Sequence, residues 1–447
     1  MLTSSGWMSS VHPMREPVGV GLLGCGTVGS ALVELLAADP GAIEARAGVP
    51  LRLVRVAVRD AVRPRLETLP PEVVTADPLE VVTNPGVDVV VELMGGQEPA
   101  GELIRKALEA GKSVVTANKE LLAERGAELA GVAAEAGIDL LYEAAVGGAI
   151  PLVRPLRESL AGERIHRVMG IVNGTTNYIL TRMGEEGASY ADALAEAQAL
   201  GYAEANPDAD VEGRDAAAKA AILATLAFGA EVVVSDVHRE GITGLDVADI
   251  AFARRVGFEV KLLAIAEQLP EEGQPPLVAV RVHPAMVPKE HPLASVRGSF
   301  NAVFVEGEVV GELMLYGPGA GGRPTAAAVL GDLIDAAHNL RSGGGGRAVA
   351  RGRARVRPMA ELTSRYYLSL EVLDRPGVLA SVARIFGDQG VSIRSMEQLG
   401  LGGEARLIFM THTAREADVQ ATLEALSQLD AVERIGGVLR LVGTEAE

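Results

Sequence analysis

Val18–Ala37 reads VGVGLLGCGTVGSALVELLA, and this stretch decides the fold. Val18 to Leu23 is an uninterrupted apolar run, the pattern of a strand buried on both faces. Gly24, Gly26 and Gly29 follow at once in G-x-G-x-x-G spacing, and SALVELLA then carries a helical pattern. Strand, glycine turn and helix in that order form the context in which this spacing binds a dinucleotide. The glycines allow the tight turn, close backbone approach to a pyrophosphate and close packing of the helix. Cys25 and Thr27 line the same turn, Cys25 simply as a small residue that fits. The expected fold is α/β, beginning with an open parallel sheet.

The next segments extend that sheet. Leu51 to Val58 reads as its second strand and ends in Arg59-Asp60, with Arg63 and Arg65 behind. An acid at this position takes the adenosine ribose hydroxyls, whereas an arginine suits a 2′-phosphate. The arginines favour NADP(H), and Asp60 leaves NAD(H) open. Val87 to Leu93 and Ser113 to Thr116 read as buried strands followed directly by Met94-Gly95-Gly96 and Ala117-Asn118-Lys119. Residues just past the carboxyl ends of such strands face the ligand crevice, so both loops should approach the nicotinamide. Leu140 to Tyr142 is a further strand, followed by Glu143 and the small-residue turn AAVGGAIP.

At 447 residues the chain predicts two or three domains. Its formal charge of −18 argues against nucleic acid or an anionic membrane as partner. No apolar run reaches the roughly 18 residues that span a bilayer. The first 16 residues have no apolar core, so they read as a disordered tail and not as a signal peptide. Cys25 is the only cysteine, which excludes an internal disulfide and a cysteine metal cage and points to the cytoplasm. Only six of the 41 basic residues are lysine. Lysine can lose its proton in a shaped site and arginine effectively cannot, which draws attention to Lys119 and Lys219.

From Pro151 the pattern changes. Ile165 to Val172 is strand-like and runs into Asn173-Gly174-Thr175-Thr176-Asn177 and a helix. VAVRVHP, NAVFVEGE and GELMLYG read as strands of a second, mixed sheet, and glycine-rich Gly317 to Gly322 opens the helix PTAAAVLGDLIDAAHNL. Between them lies Ala197–Lys219, AQALGYAEANPDADVEGRDAAAK. Asn206-Pro207 is a turn signal that puts Glu204 and Asp210 on a loop. The alanine-rich segment from Asp215 reads as a helix, on which Asp215 and Lys219, four apart, share one face. Carboxylates for an ammonium group and a titratable group beside a reacting oxygen are what an amino-acid substrate needs. Ser342 to Arg357, SGGGGRAVARGRARVR, has the composition of a flexible, solvated linker. Beyond it, Arg365 to Val442 shows a βαββαβ order, with Asp374-Arg375-Pro376-Gly377 after the first strand.

The spacing A-x3-G-Y-x-E-x-x-P-x-x-D-V-x-G-x-D-x3-K, anchored at Ala197, Gly201, Glu204, Pro207, Asp210, Gly213, Asp215 and Lys219, resembles the signature of homoserine dehydrogenases. VGLLGCGTVG, VVELMGG, VTANKELLA, EAAVGGAIP, IVNGTTNYIL and GPGAGGRPTA follow that family's order, from about Val18 to Leu340. The resemblance implies interconversion of L-homoserine and L-aspartate 4-semialdehyde in threonine, methionine and isoleucine synthesis. It implies Lys219 as the proton-transfer group, Asp215 as holder of the substrate hydroxyl or as the lysine's orienting partner, and Lys119 between nicotinamide and substrate, stabilising the developing oxyanion or contacting the substrate carboxylate. Glu204 and Asp210 would hold the substrate ammonium. Cofactor contacts are implied at Gly24, Gly26, Thr27, Val28, Gly29, Arg59, Gly95, Lys119, Gly201 and Gly321. Glu143, Val146, Gly148 and Ile150 match a site where mainly backbone oxygens hold a monovalent cation such as sodium. The C-terminal unit resembles an ACT domain, implying paired sheets in a homodimer or homotetramer and an amino-acid effector, threonine, held around Asp374 to Leu379.

The expected domains are a tail over 1–16, a Rossmann-type NAD(P)-binding domain over 17–145 and a mixed α/β catalytic and dimerisation domain over 146–322. A helix over 323–341 returns to the first domain, a linker covers 342–364, and the ACT domain covers 365–447. The competing readings are a dehydrogenase for another small amino acid, such as aspartate, and a non-catalytic Rossmann–ACT ligand sensor.

Overall fold

The computed structural model describes residues 16–60, 69–270, 275–346, 350, 352–400 and 404–443. The expected tail, apart from Glu16, and Arg63 and Arg65 lie outside these residues. Six parallel strands form the first sheet: β1 (Val18–Leu23), β2 (Leu51–Ala57), β3 (Val74–Thr75), β4 (Val89–Glu92), β5 (Ser113–Thr116) and β6 (Leu140–Leu141). Their order is 3-2-1-4-5-6. β1 and β4 are buried along their whole length because helices cover both faces. These helices are α1 (Thr27–Ala38), α2 (Pro40–Ala47), α3 (Leu79–Val82), α4 (Ala100–Glu109) and α5 (Lys119–Ala136). The strand order reverses between β1 and β4, so the ligand crevice opens at their carboxyl ends.

The second unit begins with β7 (Ile165–Ile171), α6 (Gly174–Glu186), α7 (Tyr190–Ala199), α8 (Asp208–Val211) and α9 (Arg214–Phe228). It continues with β8 (His238–Arg239), α10 (Val247–Arg255), β9 (Phe258–Gln268), β10 (Leu277–Pro288), β11 (Phe300–Gly307) and β12 (Gly311–Pro318). α9 is buried almost all round, from Asp215 to Ala224. Its run of alanines permits that, since a helix enclosed on every side must be slim and apolar. α11 (Gly322–Ser342) then runs back to the first sheet, where Val329, Leu333, Ala336 and Ala337 join the core of Val18, Leu22 and Leu32.

The last unit runs β14 (Thr363–Leu373), α12 (Val378–Asp388), β15 (Ile393–Gly400), β16 (Glu404–Thr411), the short β17 (Ala414–Arg415), α13 (Glu416–Ser427) and β18 (Val432–Leu441), following β13 (Arg355–Val356). This is the expected βαββαβ order with its own core around Tyr366, Phe386 and Phe409.

Two sequence expectations need correction here. The 342–364 segment is not a solvated linker throughout. Arg355 and Val356 pair with Leu277 and Val278 of β10, and Arg353 pairs with Glu231. Its arginines dock: Arg353 bonds Asp236 at 2.9 Å, and Arg355 Nε donates to the Pro275 carbonyl at 3.0 Å. Nor is the C-terminal unit joined by a flexible linker alone. β18 pairs in parallel with β10 through Ala285–Arg440 and Met286–Leu441. The two units therefore share one sheet, in the order 12-11-7-9-10-18-14-16-15.

That seam is locked by buried ion pairs. Asp249 of α10 accepts from Tyr367 Oη (2.6 Å), Ser369 Oγ (2.8 Å) and Arg406 Nη2 (2.7 Å) at one oxygen, and from the Gly437 amide (3.1 Å) at the other. Arg440 forks onto Glu416 and Glu240 with four hydrogen bonds of 2.6–2.8 Å.

Candidate active site

The crevice between the carboxyl ends of β1 and β4 is shaped by glycine for two reasons. Gly24 (φ +96°) lies against the Leu93 carbonyl, where a Cβ would sit 2.8 Å from the oxygen. A Cβ at Gly29 would strike the Gly24 carbonyl, so that glycine serves helix packing. Gly26 differs: it has an ordinary φ of −84°, is exposed, and a Cβ there would meet nothing within 4 Å. The protein leaves that space clear at the N-terminus of α1, where backbone N–H groups and the helix dipole suit a pyrophosphate. Thr27 and Val28 begin α1, and Gly95 is open on the opposite lip. The residues present therefore fit a dinucleotide. Arg59 and Asp60 are exposed just past β2. Gly201 and Gly321 are exposed glycines with positive φ, Gly201 at the end of α7 and Gly321 capping α11. The chain after Gly321 touches the turn, since a Cβ at Gly322 would lie 2.9 Å from Thr27 Cγ2.

Glu92 was not foreseen from sequence. Fully buried at the end of β4, it accepts from the amides of Met94 (2.7 Å) and Gly95 (3.0 Å) and from Thr116 Oγ1 (2.6 Å). Thr116 Oγ1 accepts from the Asn118 amide (3.0 Å). Asn118 in turn caps α5 through the Leu121 amide and donates to the Gly96 carbonyl at 2.6 Å. One carboxylate thus ties together the loops after β4 and β5 and fixes the start of α5, which is Lys119. An acid closing the apolar run VVVE was the available signal.

Lys119 meets α9 across the crevice. Asp215 is buried in the first turn of α9, where the helix N-terminus favours a carboxylate. Its Oδ2 accepts from Lys219 Nζ (2.7 Å) and from Asn173 Nδ2 (2.9 Å). Lys119 Nζ lies 2.6 Å from Oδ1, an ion pair across the crevice. Burial pushes the Asp215 carboxyl up, but Lys219 and Lys119 outweigh it and hold it well below the usual carboxylate range. Burial likewise lowers Lys119, and Asp215 reverses this, leaving the ammonium above its ordinary value. Lys219 also donates to the Val172 carbonyl at 2.6 Å. Two of its three N–H donors are engaged, and one remains.

Asn173, a second unforeseen residue, caps α6 through the Thr176 amide and uses its Nδ2 to join Asp215 to Asp210 Oδ1 at 2.7 Å. Asp210 is not on a loop as expected: Pro207 starts the single turn α8 that carries it. Burial raises the Asp210 carboxyl, Asn173 opposes this, and nearby Asp215 adds to it. The structure thus gathers Lys119, Asp210, Asp215 and Lys219. Glu204 stands apart, exposed on the preceding loop, where its backbone carbonyl accepts from Gln198 Nε2 at 3.0 Å.

Below the crevice, the turn after Glu143 is buried. The Glu143 carboxylate accepts from the amides of Leu152 (2.5 Å), Val153 (2.8 Å) and Arg154 (2.9 Å). The side chain is thereby committed, leaving main-chain oxygens as the donor set. No hydrogen bond among the described residues ends on the carbonyls of Glu143, Val146, Gly148 or Ile150. Gly148 (φ +61°) packs against Gly319, where a Cβ would come 2.5 Å from the carbonyl oxygen. Main-chain oxygens of this kind are the ligand type a hard monovalent cation takes. At the far end of the chain, Asp374 to Leu379 line a cavity of about 340 Å³ with Val372, Gln398 and Leu407.

Residues 24–143 match the family profile described as "Homoserine dehydrogenase, NAD binding domain", residues 151–334 that of homoserine dehydrogenase, and residues 366–431 that of the ACT domain. The chain is 50% identical over 438 residues to the homoserine dehydrogenase of Corynebacterium glutamicum, covering 97% of this chain and 98% of that protein. It is 40% identical over 433 residues to that of Bacillus subtilis, covering 96% and 99%. The crystal structure of a homoserine dehydrogenase from Thiobacillus denitrificans superposes with a TM-score of 0.87 at 40% identity, covering 95% of this chain and 98% of that one. A hyperthermophilic archaeal homoserine dehydrogenase in complex with NADPH matches with a TM-score of 0.61 at 31% identity, covering 73% of this chain and 98% of that one.

Proposed function

The chain belongs to the homoserine dehydrogenase family, and on that premise we propose that it interconverts L-homoserine and L-aspartate 4-semialdehyde with NADP(H) ahead of NAD(H). The observation that carries this reading is the Lys119–Asp215–Lys219 cluster at the mouth of the dinucleotide crevice. When bound, the nicotinamide supplies or accepts the hydride. The chain handles one proton. In the reducing direction Lys219 gives a proton to the aldehyde oxygen as that oxygen gains charge; in the oxidising direction it takes the hydroxyl proton. Lys119, held above its ordinary pKa, stays charged and serves as the electrostatic partner of the developing oxyanion. Asp215 orients Lys219 through its 2.7 Å contact, and Asp210, with Glu204 at the rim, receives the substrate ammonium.

A monovalent cation on the carbonyls of Glu143, Val146, Gly148 and Ile150 would brace the turn into the second unit. The exposed Leu313, Met314 and Tyr316 on edge strand β12 support a homodimer or homotetramer. The Asp374–Leu379 cavity supports threonine as an end-product effector, and the proposed reaction belongs to cytoplasmic threonine, methionine and isoleucine synthesis. Among the described residues, no helix is long and apolar enough to cross a membrane.

The test is the rise of reduced-nicotinamide absorbance with L-homoserine or L-aspartate, each with NADP+ and NAD+. Turnover with homoserine and faster saturation by NADP+ are expected. Turnover with aspartate alone, or with neither, overturns the reading. Arg59→Ala should weaken NADP+ relative to NAD+ by about 1–3 kcal/mol, the range for lost charge-assisted hydrogen bonds. Equal losses would assign the 2′-phosphate elsewhere. Threonine titration of initial rates should show inhibition that Asp374→Ala relieves.

A further inference from the structure

Arg440, on the last strand of the C-terminal unit, reaches the catalytic unit at Glu240. Its Nη1 donates to Glu240 Oε2 at 2.8 Å and its Nη2 to Oε1 at 2.7 Å. Two charge-assisted bonds in parallel hold a carboxylate in direction as well as in place. His238 Nε2 lies 2.8 Å from the same Oε1. Burial pushes the Glu240 carboxyl up, but His238 and Arg440 outweigh it and hold it well below the usual carboxylate range, so the pair stays charged.

The segment that carries Glu240 lies against the C-terminal end of α8. Arg239 Nη1 donates to the Glu212 carbonyl at 3.2 Å, the Ile242 amide to the Val211 carbonyl at 2.8 Å, and Thr243 Oγ1 to Glu212 Oε1 at 3.1 Å. Gly241 lets the two chains close up, since a Cβ there would sit 2.4 Å from the Val211 carbonyl oxygen. The Glu240 carbonyl faces Gly213, whose added Cβ would come 3.2 Å from that oxygen. Residues 239–243 thus touch 211–213 one after another. α8 is a single turn, exposed at Asp208 and Ala209, and a lone turn does not hold its own shape. It is seated from outside, by this segment at one end and by Asn173 on Asp210. α8 carries Asp210, and Gly213 leads straight into α9 and Asp215.

We propose that Glu240, held by the Arg440 fork, is a positioning residue for homoserine: it seats 239–243 under α8 and so sets Asp210 against the substrate ammonium, a role that rests on Asp210 being the ammonium site. Because Arg440 belongs to the C-terminal unit, that unit has a hold on the substrate side of the site, whereas the pyrophosphate turn lies on the first sheet.

Steady-state kinetics of the full chain test this as a split between constants. Glu240→Ala should raise the homoserine KM about tenfold, a fraction of what a charge-assisted fork contributes, and leave the NADP+ KM and kcat near those of the parent. Glu240→Gln, which keeps one acceptor for Arg440, should raise it less, and it supplies the reading if Glu240→Ala does not fold. Asp249→Ala weakens the same seam through Tyr367, Ser369, Arg406 and the Gly437 amide. It should lower the denaturant midpoint and leave the homoserine KM unchanged. Asp210→Asn should raise the homoserine KM at least as far as Glu240→Ala does. An unchanged homoserine KM in both Glu240 variants, beside a raised one in Asp210→Asn, would overturn the role of Glu240 and leave the ammonium site standing. An equal rise in Asp249→Ala, or equal rises for homoserine and NADP+ in Glu240→Ala, would reduce Glu240 to seam stability. An unchanged homoserine KM in Asp210→Asn would overturn the ammonium site and the role of Glu240 with it.

Discussion

Asp215 and Asp249 are both buried carboxylates facing cations, and their surroundings differ in one decisive way. Asp249 is saturated: both oxygens are claimed, by Tyr367, Ser369, Arg406 and the Gly437 amide. Its cation is an arginine, which does not give up its proton. Asp215 faces two lysines, one at each oxygen, and leaves Lys219 a donor to spare. A saturated buried pair holds a structure in place, while an unsaturated one at a crevice can exchange a proton with a guest.

Removing Asp249 is the strongest way to break that contrast. Asp249→Ala strands Arg406 and two hydroxyls inside the seam, so it should cost about 3–5 kcal/mol, the range for an uncompensated buried charge. Denaturant unfolding reads the loss, and kcat at a temperature where the variant stays folded should be near that of the parent. A large drop in kcat without a drop in stability would erase the distinction.

Glu92→Gln sharpens the comparison, because Glu92 is saturated like Asp249 yet belongs to the site. It should raise the cofactor KM about tenfold, from weakened charge-assisted bonds to the Met94 and Gly95 amides, with a smaller change in kcat. An unchanged cofactor KM would mean the loops hold their places without it. Glu204→Gln should do least. An exposed carboxylate contributes at most about 1 kcal/mol to an ion pair, so the homoserine KM should rise only a few-fold. A far larger effect would place Glu204 within the closed complex.

The same contrast explains what the sequence could and could not disclose. The Rossmann elements are local: an apolar run, a glycine turn and a helix are each legible within twenty residues, and so is the Asp215–Lys219 pair at helical spacing. The βαββαβ unit was legible for the same reason. The seam was not, because β10 and β18 pair residues as distant as Ala285 and Arg440, and nothing local in either strand marks the other. The glycine and arginine composition of 342–357 suggested solvation, yet its arginines find Asp236 and the Pro275 carbonyl. Glu92 and Asn173 escaped notice because each acts by joining segments far apart in sequence. One consequence concerns truncation. Cutting the chain near Leu340 would remove every partner of Asp249 named above, so point variants at Asp374 are the cleaner probe of regulation.

The central claim is that proton transfer belongs to Lys219, with Lys119 as its charged neighbour. The direct measurement is kcat and cofactor affinity for Lys219→Ala across pH 6–9. The expected result is normal cofactor binding with kcat reduced at least about a hundredfold, the scale for a positioned acid–base group. Because Lys119 is held above its ordinary value, it stays protonated over this window, so the residual rate should gain no new titration there. Turnover within a few-fold of the parent would contradict the claim and move the proton to Lys119.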